Sequence, residues 1–430
     1  MMDTIFAPAT AQGKAGVAII RLSGPQAWAA VAYLSPNLPA PRIASLRRLM
    51  DANGDLLDEA LLLLFEEGHS FTGEEMAELH LHGSHAVVKA VLEILGGMSG
   101  LRMAAPGEFT QRAFHNGRLD LTQVEGLADL IESETEAQRK QASRVLSGAI
   151  GERAAQWRGG LLRARAVIEA LIDFADDELP DGLIDRAYDE IRPVLASMQR
   201  ELAGSAAAER IRDGFEVAIV GPPNAGKSTL LNAIAGRDAA ITSEHAGTTR
   251  DILEVRLELA GHAVTLLDMA GLRESTDAVE KLGVARAKSR AAAADLRVFL
   301  LPDAGCTPEV ATEEGDIMVR AKGDRVAEDV FKVSGLTGEG VGQLLAAIGD
   351  VLGSRVAGAA TITHARHAAG LRAATEVLDR ILADGDMSCV EPELVAEDLR
   401  SVIHTLDSLV GRVDVEEILG EIFGTFCIGK

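Results

Sequence analysis

Four residues between positions 221 and 228 form the most specific chemical pattern of this sequence. Gly221, Gly226, Lys227 and Ser228 satisfy G-x-x-x-x-G-K-[ST] without a mismatch. Glycines let backbone N–H groups curl around a phosphate, the lysine ammonium reaches the outer phosphates, and the serine hydroxyl can bind Mg²⁺. An apolar run before the loop predicts a strand over 217–220, and the residues after it predict a helix whose N-terminus faces the anion. The spacing therefore predicts a nucleotide phosphate site.

Two later segments could sense the γ-phosphate. The stretch A-G-T-T-R-D, residues 246–251, contains a threonine that can close on Mg²⁺ and the γ-phosphate. The stretch V-T-L-L-D-M-A-G, residues 264–271, predicts a strand that ends in D-x-x-G. There the Asp268 carboxylate can bind Mg²⁺ through water, and the Gly271 N–H can contact the γ-phosphate. Together these segments predict the switch regions of a GTPase.

The base would be read by the A-K-G-D stretch that ends at Asp324. Its carboxylate can accept hydrogen bonds from guanine N1–H and the 2-amino group, and Lys322 can cover the ring. Ala321 stands where GTPases generally have asparagine. A second base-contacting loop, after a predicted strand over 330–333, comprises Ser334, Gly335 and Leu336. Because a carboxylate repels the acceptors of adenine, the sequence favours GTP, and Ala321 leaves ATP as an alternative.

The position after D-x-x-G is informative about catalysis. Ras-like GTPases have a glutamine there that orients the attacking water, whereas this chain has Leu272. Either hydrolysis is very slow or another polar group takes part. The following segment, 273–280, offers several carboxylates and begins with Arg273, a candidate catalytic residue. A bound cation is a reasonable source of positive charge at the β–γ bridge.

Composition limits the classes of partner. The 430 residues include 42 Lys and Arg against 65 Asp and Glu, a net charge of −23, so an RNA partner needs a local basic patch. The candidate basic residues for contact with RNA phosphates are Arg139, Lys140, Arg144, Arg153 and Arg158. These residues could equally form a solvated helix face. Three distant cysteines, with no apolar run long enough to span a bilayer and no signal peptide, predict a cytoplasmic protein.

The periodicity of apolar residues predicts a multidomain fold of α/β and α parts. Strands over 16–22, 59–65 and 76–81 and a helix over 86–95 indicate an α+β N-terminal domain. Helical spacing extends from Leu121 to about Arg212, with Pro180 and Pro193 interpreted as turns between long helices. Strands and helices alternate from Phe215 to about Leu352, and helices return from Thr363 to Phe423. We expect an α/β unit inserted into a helical bundle; two unrelated helical domains are the alternative.

The chain resembles the MnmE (TrmE) family of tRNA uridine-34 modification GTPases over its whole length. Besides the phosphate loop, the matching segments are 15–24 (A-G-V-A-I-I-R-L-S-G), 70–74 (S-F-T-G-E), 106–110 (P-G-E-F-T), 116–121 (N-G-R-L-D-L), 246–251, 268–273 (D-M-A-G-L-R) and 426–430 (F-C-I-G-K). The terminal F-C-I-G-K is highly specific. The departures are Ala321 for asparagine, Gly335 for alanine and Met269 for threonine.

The resemblance implies four segments. Residues 1–118 would be an N-terminal tetrahydrofolate-binding and dimerisation domain, and 119–212 the first part of a helical domain. Residues 213–355 would form an inserted Ras-like P-loop G domain, and 356–430 the second helical part with the C-terminal F-C-I-G-K. GTP hydrolysis would be activated by K⁺-dependent dimerisation of the G domains.

The resemblance also implies a set of nucleotide and metal ligands. Ser228 and Thr249 would hold Mg²⁺. Asn224, Ser243, His245 and Thr248 would hold K⁺, and Glu280 would position the attacking water in place of Leu272. The nucleotide contacts would come from Asn224, Ala225, Gly226, Lys227, Ser228, Thr229, Ser243, Glu244, His245, Ala246, Gly247, Thr248, Thr249, Asp268, Met269, Ala270, Gly271, Lys322, Asp324, Ser334, Gly335 and Leu336.

A 5-formyl- or 5,10-methylene-tetrahydrofolate site would use Arg21, Glu78, Arg118 and Lys430, with arginine at 118 where the family has lysine. The partner MnmG (GidA) would bring FAD and form a heterotetrameric complex with the homodimer. Together they would add an aminomethyl or carboxymethylaminomethyl group to C5 of the wobble uridine of tRNA. The alternative is a ribosome-assembly or regulatory GTPase switch without group transfer.

Two residue types could support other chemistry. Cys427 is a candidate redox or catalytic thiol near a flexible end, and a small packing residue is the alternative. The histidines at 80, 82 and 85 suggest a zinc site, but their spacing follows strand alternation and no fourth ligand lies nearby in the sequence.

Overall fold

The computed structural model describes residues 3–174, 182–236, 254–268, 289–303, 306, 308, 310–326, 330–383, 391–413, 416–424, 426 and 429. It divides into two compact units. The first comprises Met1–Ala128 with Asp407–Lys430, and the second comprises Asp129–Leu406. In the described part of the chain, no helix is both long and apolar enough to cross a membrane.

The first unit is built on a six-stranded sheet in the order β3-β4-β5-β2-β1-β6. Its strands are β1 Thr4–Pro8, β2 Ala15–Ser23, β3 Ser45–Met50, β4 Leu56–Phe65, β5 Met76–Gly83 and β6 Leu101–Met103. β1 pairs in parallel with β6, and the other pairs are antiparallel. The three strands predicted for this region are confirmed.

Alternation along β2 and β5 separates a core face from a polar face. Ile20, Leu22, Leu79 and Leu81 are buried against helices on one face, so Arg21 and Glu78 belong to the other. The helices of this unit are α1 Ala27–Leu34, α2 His85–Gly96 and α3 Glu108–His115, together with α12 Glu416–Gly424 near the C-terminus. α12 packs against α3, and its Phe423 lies beside Leu121 and Val124.

Helices precede and follow the α/β sheet of the second unit. They are α4 Leu121–Glu132, which begins in the first unit, α5 Glu136–Leu146, α6 Ala149–Asp173, α7 Leu183–Asp213, α10 Ala365–Ala383 and α11 Pro392–Leu409. α10 packs against α7. A helix that follows the sheet in the sequence therefore packs against a helix that precedes it.

The predicted turn at Pro193 is wrong, because Pro193 lies inside the 31-residue helix α7. Proline removes one backbone hydrogen bond and usually bends or ends a helix. Here its neighbours Ile191, Val194 and Leu195 are buried, and tertiary burial of that face offsets the loss. Pro180 lies outside the described residues.

The α/β sheet has the order β11-β10-β7-β9-β8. Its strands are β7 Phe215–Val220, β8 Glu254–Leu259, β9 His262–Asp268, β10 Leu296–Leu301 and β11 Ile317–Arg320, and its flanking helices are α8 Lys227–Ala235 and α9 Val341–Arg355. Among these described strands, only β8 is antiparallel to its neighbour. The carboxyl ends of the four parallel strands therefore meet at one edge of the sheet, where ligands of such folds bind.

The strand predicted over 330–333 is reduced to an isolated bridge between Arg320 and Lys332. The Val333 N–H donates to the Arg320 carbonyl at 2.8 Å. The chain thus touches the end of β11 without extending the sheet.

Candidate functional site

The phosphate loop connects the end of β7 to the start of α8. A Cβ added at Gly221 would lie 2.5 Å from the Leu300 carbonyl oxygen, so only glycine fits beside β10. Asn224 and Gly226 have left-handed backbones, with φ of 64° and 99°. Lys227, the first residue of α8, donates its ammonium to the Gly221 carbonyl at 2.8 Å. These contacts give the loop the concave form that cradles an anion at a helix N-terminus.

Oxygen donors suited to a hard cation lie beside this loop. The Ser228 hydroxyl donates to Asp268 Oδ2 at 2.5 Å, and Asp268 Oδ1 is buried without a partner among the described residues. A buried carboxylate oxygen without a donor is costly unless a ligand satisfies it. Carboxylate and hydroxyl oxygens are the ligands that Mg²⁺ takes in nucleotide sites. The residues present therefore fit a magnesium ion.

A cavity of about 210 Å³ opens beside the phosphate loop. The structure places eight predicted residues around it, namely Ala225, Gly226, Thr229, Lys322, Asp324, Ser334, Gly335 and Leu336. Asp324 accepts a hydrogen bond from the Ser334 hydroxyl at 2.6 Å. This bond, above all, holds the pKa of the Asp324 carboxyl below its usual value. The ionised carboxylate can accept hydrogen bonds from a base that presents two N–H donors.

The structure explains one departure from the family pattern. A Cβ added at Gly335 would lie 2.6 Å from the Leu230 backbone nitrogen and 2.7 Å from the Thr229 carbonyl carbon. The loop of residues 334–336, here called the base loop, thus packs directly against the backbone of α8. Glycine is required at 335 because this approach leaves no room for a side chain.

A second group of predicted residues lies on the polar face of the N-terminal sheet. Arg21 and Glu78 are opposite each other in the β2–β5 ladder. Arg21 Nε and Nη2 donate to Glu78 Oε1 at 3.1 and 2.9 Å, and His80 Nε2 lies 3.2 Å from Glu78 Oε2. The Arg21 guanidinium also lies 5.6 and 5.8 Å from the ring centroids of Phe71 and Phe109.

Arg118 and the C-terminus approach the same region. The Arg118 side chain adjoins Gly73, where an added Cβ would lie 3.4 Å from Arg118 Cγ. Gly429 lies so close to Pro8 that an added Cβ would collide with its carbonyl oxygen. Pro8 pairs with Ile20, the neighbour of Arg21 on β2. Ion-pairing groups and aromatic rings at one place fit a flat, polar heterocycle such as a pterin.

His82, the next histidine along β5, has a protein partner. His82 donates its backbone N–H to Asp58 Oδ2 at 2.8 Å, and its Nδ1 lies 2.7 Å from Asp58 Oδ1. Among the described residues, no group of three or more His, Cys, Asp or Glu side chains could hold a metal ion. A larger cavity of about 680 Å³, bordered by Arg212 and Thr265, contains none of the predicted nucleotide residues.

Some predicted residues lie outside the described part of the chain. They are Ser243, Glu244, His245, Ala246, Gly247, Thr248, Thr249, Met269, Ala270, Gly271, Arg273, Glu280, Cys427 and Lys430. Sequence reasoning missed Phe71 and Phe109, although both lie in the quoted segments 70–74 and 106–110. It also missed Arg325, which lines the base cavity directly after Asp324.

The fold and the nucleotide site define a P-loop GTPase. The phosphate loop follows β7, Asp268 ends β9, and Asp324 follows β11, all at the carboxyl edge of the parallel strands. This is the arrangement in which a P-loop, a magnesium-binding aspartate and a base-reading aspartate act on one nucleotide.

Comparison with known proteins identifies the family. The family model "MnmE helical domain" matches residues 121–427, and "GTP-binding protein TrmE N-terminus" matches residues 4–118. A Cereibacter sphaeroides protein (strain ATCC 17029 / ATH 2.4.9) named "tRNA modification GTPase MnmE" is 58% identical over 429 residues, covering 100% of both chains. A Ruegeria pomeroyi protein with the same name is 53% identical over 434 residues, again covering 100% of both. The chain belongs to the MnmE (TrmE) family.

A solved structure also matches locally. It is an Era protein of Aquifex aeolicus bound to GDP·AlF₄⁻, 25% identical, covering 32% of this chain and 56% of that chain with a TM-score of 0.26. At this score the likeness carries no argument, and the family assignment depends on the full-length relatives.

Proposed function

We propose that this chain is the GTP-hydrolysing component of a complex that modifies C5 of the wobble uridine, position 34, of tRNA. The modification would be an aminomethyl or carboxymethylaminomethyl group built with a folate one-carbon unit. One observation carries the proposal. The same chain combines a nucleotide site at Ser228 and Asp268 with a separate polar site at Arg21 and Glu78, and full-length relatives are named tRNA modification GTPases.

The nucleotide site would act by orienting charges around the β- and γ-phosphates. Ser228 and Thr249 would hold Mg²⁺, and Asp268 would accept hydrogen bonds from its water ligands, since its Oδ1 is buried without a partner among the described residues. Asn224, Ser243, His245 and Thr248 would hold K⁺, which supplies positive charge at the β–γ bridge. Glu280 would position the attacking water, and Arg273 stays a candidate catalytic residue. K⁺ would also join the G domains of two chains.

The N-terminal site would bind 5-formyl- or 5,10-methylene-tetrahydrofolate, which supplies the one-carbon unit when bound. Glu78 has two oxygens that can accept from pterin N–H groups, and Arg21 fixes its orientation. Arg118 and Lys430 would bind the acidic part of the ligand. The position of Gly429 beside Pro8 supports a role for the C-terminus at this site. Cys427 stays a candidate redox or catalytic thiol.

The remaining assignments concern partners and boundaries. We infer a cytoplasmic homodimer that joins MnmG, the carrier of FAD, in a heterotetramer that binds tRNA. The segments 1–118, 119–212, 213–355 and 356–430 would be the folate-binding and dimerisation domain, the first helical part, the G domain and the second helical part. The packing of α10 against α7 supports one helical domain interrupted by the G domain.

Folate binding by the full-length chain tests this proposal against a ribosome-associated GTPase switch. Equilibrium binding of 5-formyl-tetrahydrofolate should weaken about tenfold or more in Glu78→Gln, because the neutral amide loses one acceptor and the ion pair with Arg21. The exposed His85→Gln, in α2, is the control and should bind as the unchanged protein does. Absence of folate binding, together with tight binding to a ribosomal particle, would favour the switch.

A further inference from the structure

The cavity of about 210 Å³ beside the phosphate loop, here called the base cavity, is lined by a cationic side chain to which no role has been assigned. Arg325 follows Asp324 in the short 3₁₀ helix Gly323–Arg325 and lines the same cavity. Its side chain is 74% exposed, and its Nε lies 3.7 Å from Asp324 Oδ2, beyond hydrogen-bond distance. The guanidinium is thus near the base-reading carboxylate without being bound tightly to it.

The two oxygens of the Asp324 carboxylate have different neighbours. Oδ1 accepts the Ser334 hydroxyl at 2.6 Å, whereas Oδ2 faces Arg325. A guanine that donates N1–H and its 2-amino group to this carboxylate occupies both oxygens. The next acceptor beyond those two donors, on the Arg325 side, is then the exocyclic O6 or the ring nitrogen N3, according to which donor meets which oxygen. Both atoms are hydrogen-bond acceptors, and a guanidinium has five N–H donors.

Two positions of the predicted base-reading segments, 321 and 335, offer this acceptor no side-chain donor. Ala321 stands where an asparagine amide would contribute, and its methyl group is buried at 1% exposure. Its N–H is already used, since it donates to the Leu301 carbonyl at 2.8 Å. Gly335 offers the base only its backbone. Arg325 is therefore placed to supply a contact that position 321 lacks.

We propose that Arg325 is a specificity-determining residue of the base pocket, where its guanidinium donates to one acceptor of guanine, O6 or N3. It compensates for alanine at position 321. This inference rests on the proposed reading of guanine by Asp324. The ligand class is a guanine nucleotide, and the contact adds to guanine affinity without taking part in phosphate chemistry.

Binding of fluorescently labelled GTP and ATP to the full-length chain tests the inference. Arg325→Ala should weaken GTP binding about tenfold, because one charge-assisted hydrogen bond is lost, and should reduce the preference for GTP over ATP. Arg325→Lys keeps the charge without the planar fork, so it should restore only part of the affinity. Arg256→Ala removes an exposed cation from β8, outside the base cavity, and should leave GTP binding unchanged.

The outcomes separate this inference from the assignment of the pocket. If Asp324→Asn abolishes the preference for GTP while Arg325→Ala stays within twofold of the unchanged protein, the pocket is correct and the role of Arg325 is wrong. If Asp324→Asn leaves the preference intact, both are wrong. With 3-deazaguanosine triphosphate, a penalty from Arg325→Ala that persists assigns the contact to O6. A penalty that disappears assigns it to N3.

Discussion

The hydroxyl of Ser228 and the carboxylate of Asp268 are joined by a 2.5 Å hydrogen bond between residues forty positions apart. Ser228 lies in the first turn of α8, and Asp268 ends β9 directly opposite Ile219 of β7. The parallel pairing of β7 with β9 therefore places a hydroxyl and a carboxylate next to the phosphate loop. Both groups are hard oxygen donors, so the sheet register would determine the geometry of the proposed magnesium site.

This relationship predicts the effect of removing the hydroxyl. Ser228→Ala should raise the Mg²⁺ concentration needed for half-maximal GTP hydrolysis about tenfold or more, because one ligand is lost while the buried Asp268 remains. A Mg²⁺ titration of the hydrolysis rate measures this. Ser228→Thr keeps a hydroxyl and should behave nearly as the unchanged protein. A half-saturation unaffected by Ser228→Ala would exclude the serine as a ligand.

The backbone of Asn224 allows the K⁺ proposal to be tested without confusing ligand loss with strain. Its φ of 64° is left-handed, a conformation that glycine adopts freely and alanine at a cost of about 1–2 kcal/mol. Asn224→Gly and Asn224→Ala should both lose the stimulation of GTP hydrolysis by KCl over NaCl at equal ionic strength. Only the alanine variant should also be less stable.

Two results would contradict the role of K⁺. Equal rates in KCl and NaCl for the unchanged protein would remove the cation from the mechanism altogether. Persistent K⁺ stimulation in Asn224→Gly would show that the side chain at 224 is not a ligand.

The close packing of the base loop on α8 predicts that even a methyl group at position 335 lowers the stability of the protein. Gly335→Ala should destabilise the protein by about 1–3 kcal/mol and weaken GTP binding, because the new methyl group would meet the backbone of Leu230. Gly353→Ala is the matched control in α9, since nothing lies within 4 Å of the added Cβ. That change should be neutral or stabilising by up to about 1 kcal/mol. Urea denaturation and GTP titration provide the two measurements. Equal behaviour of the two variants would refute the close approach.

The stability of the nucleotide-binding sheet should depend on the protonation of His262. Burial lowers the pKa of this imidazole, its ring contacts Phe215 edge-on at 5.9 Å, and its Nδ1 is buried without a partner among the described residues. The unfolded chain then binds the proton more readily, so stability is lost as pH falls below about 6.5.

Denaturation of His262→Gln at pH 7.5 and 5.5 checks this dependence. The variant should lose less stability on acidification than the unchanged protein does. His85→Gln, at an exposed position, should keep the full pH dependence. Identical pH profiles for His262→Gln and the unchanged protein would show that another group is responsible.

Local patterns predicted much of the fold and of the phosphate site. The phosphate loop, β7, β9 and Asp268 lie where their spacing indicated, because each depends on a short stretch of sequence. The prediction of a strand over 330–333 was wrong because pairing at a sheet edge depends on distant residues. Pro193 was misinterpreted because burial of its neighbours outweighs its local preference. The roles of Gly335 and Arg325 follow from their positions beside α8 and the base cavity, and these positions are visible only in the folded structure. The proposed residues outside the described regions stay predictions.

The direct passage from α7 into β7 has a mechanical consequence. Gly214, with φ of 84°, is the single residue between Asp213 and Phe215. A 31-residue helix is about 46 Å long, so a swing of 5° about Gly214 would move its far end by about 4 Å. The contacts beside Gly214 act against such a swing, since Arg210 Nε lies 2.8 Å from Asp295 Oδ1 and Gln138 Nε2 donates to the Arg212 carbonyl at 2.8 Å. These two contacts therefore hold the direction of the whole of α7 relative to β7.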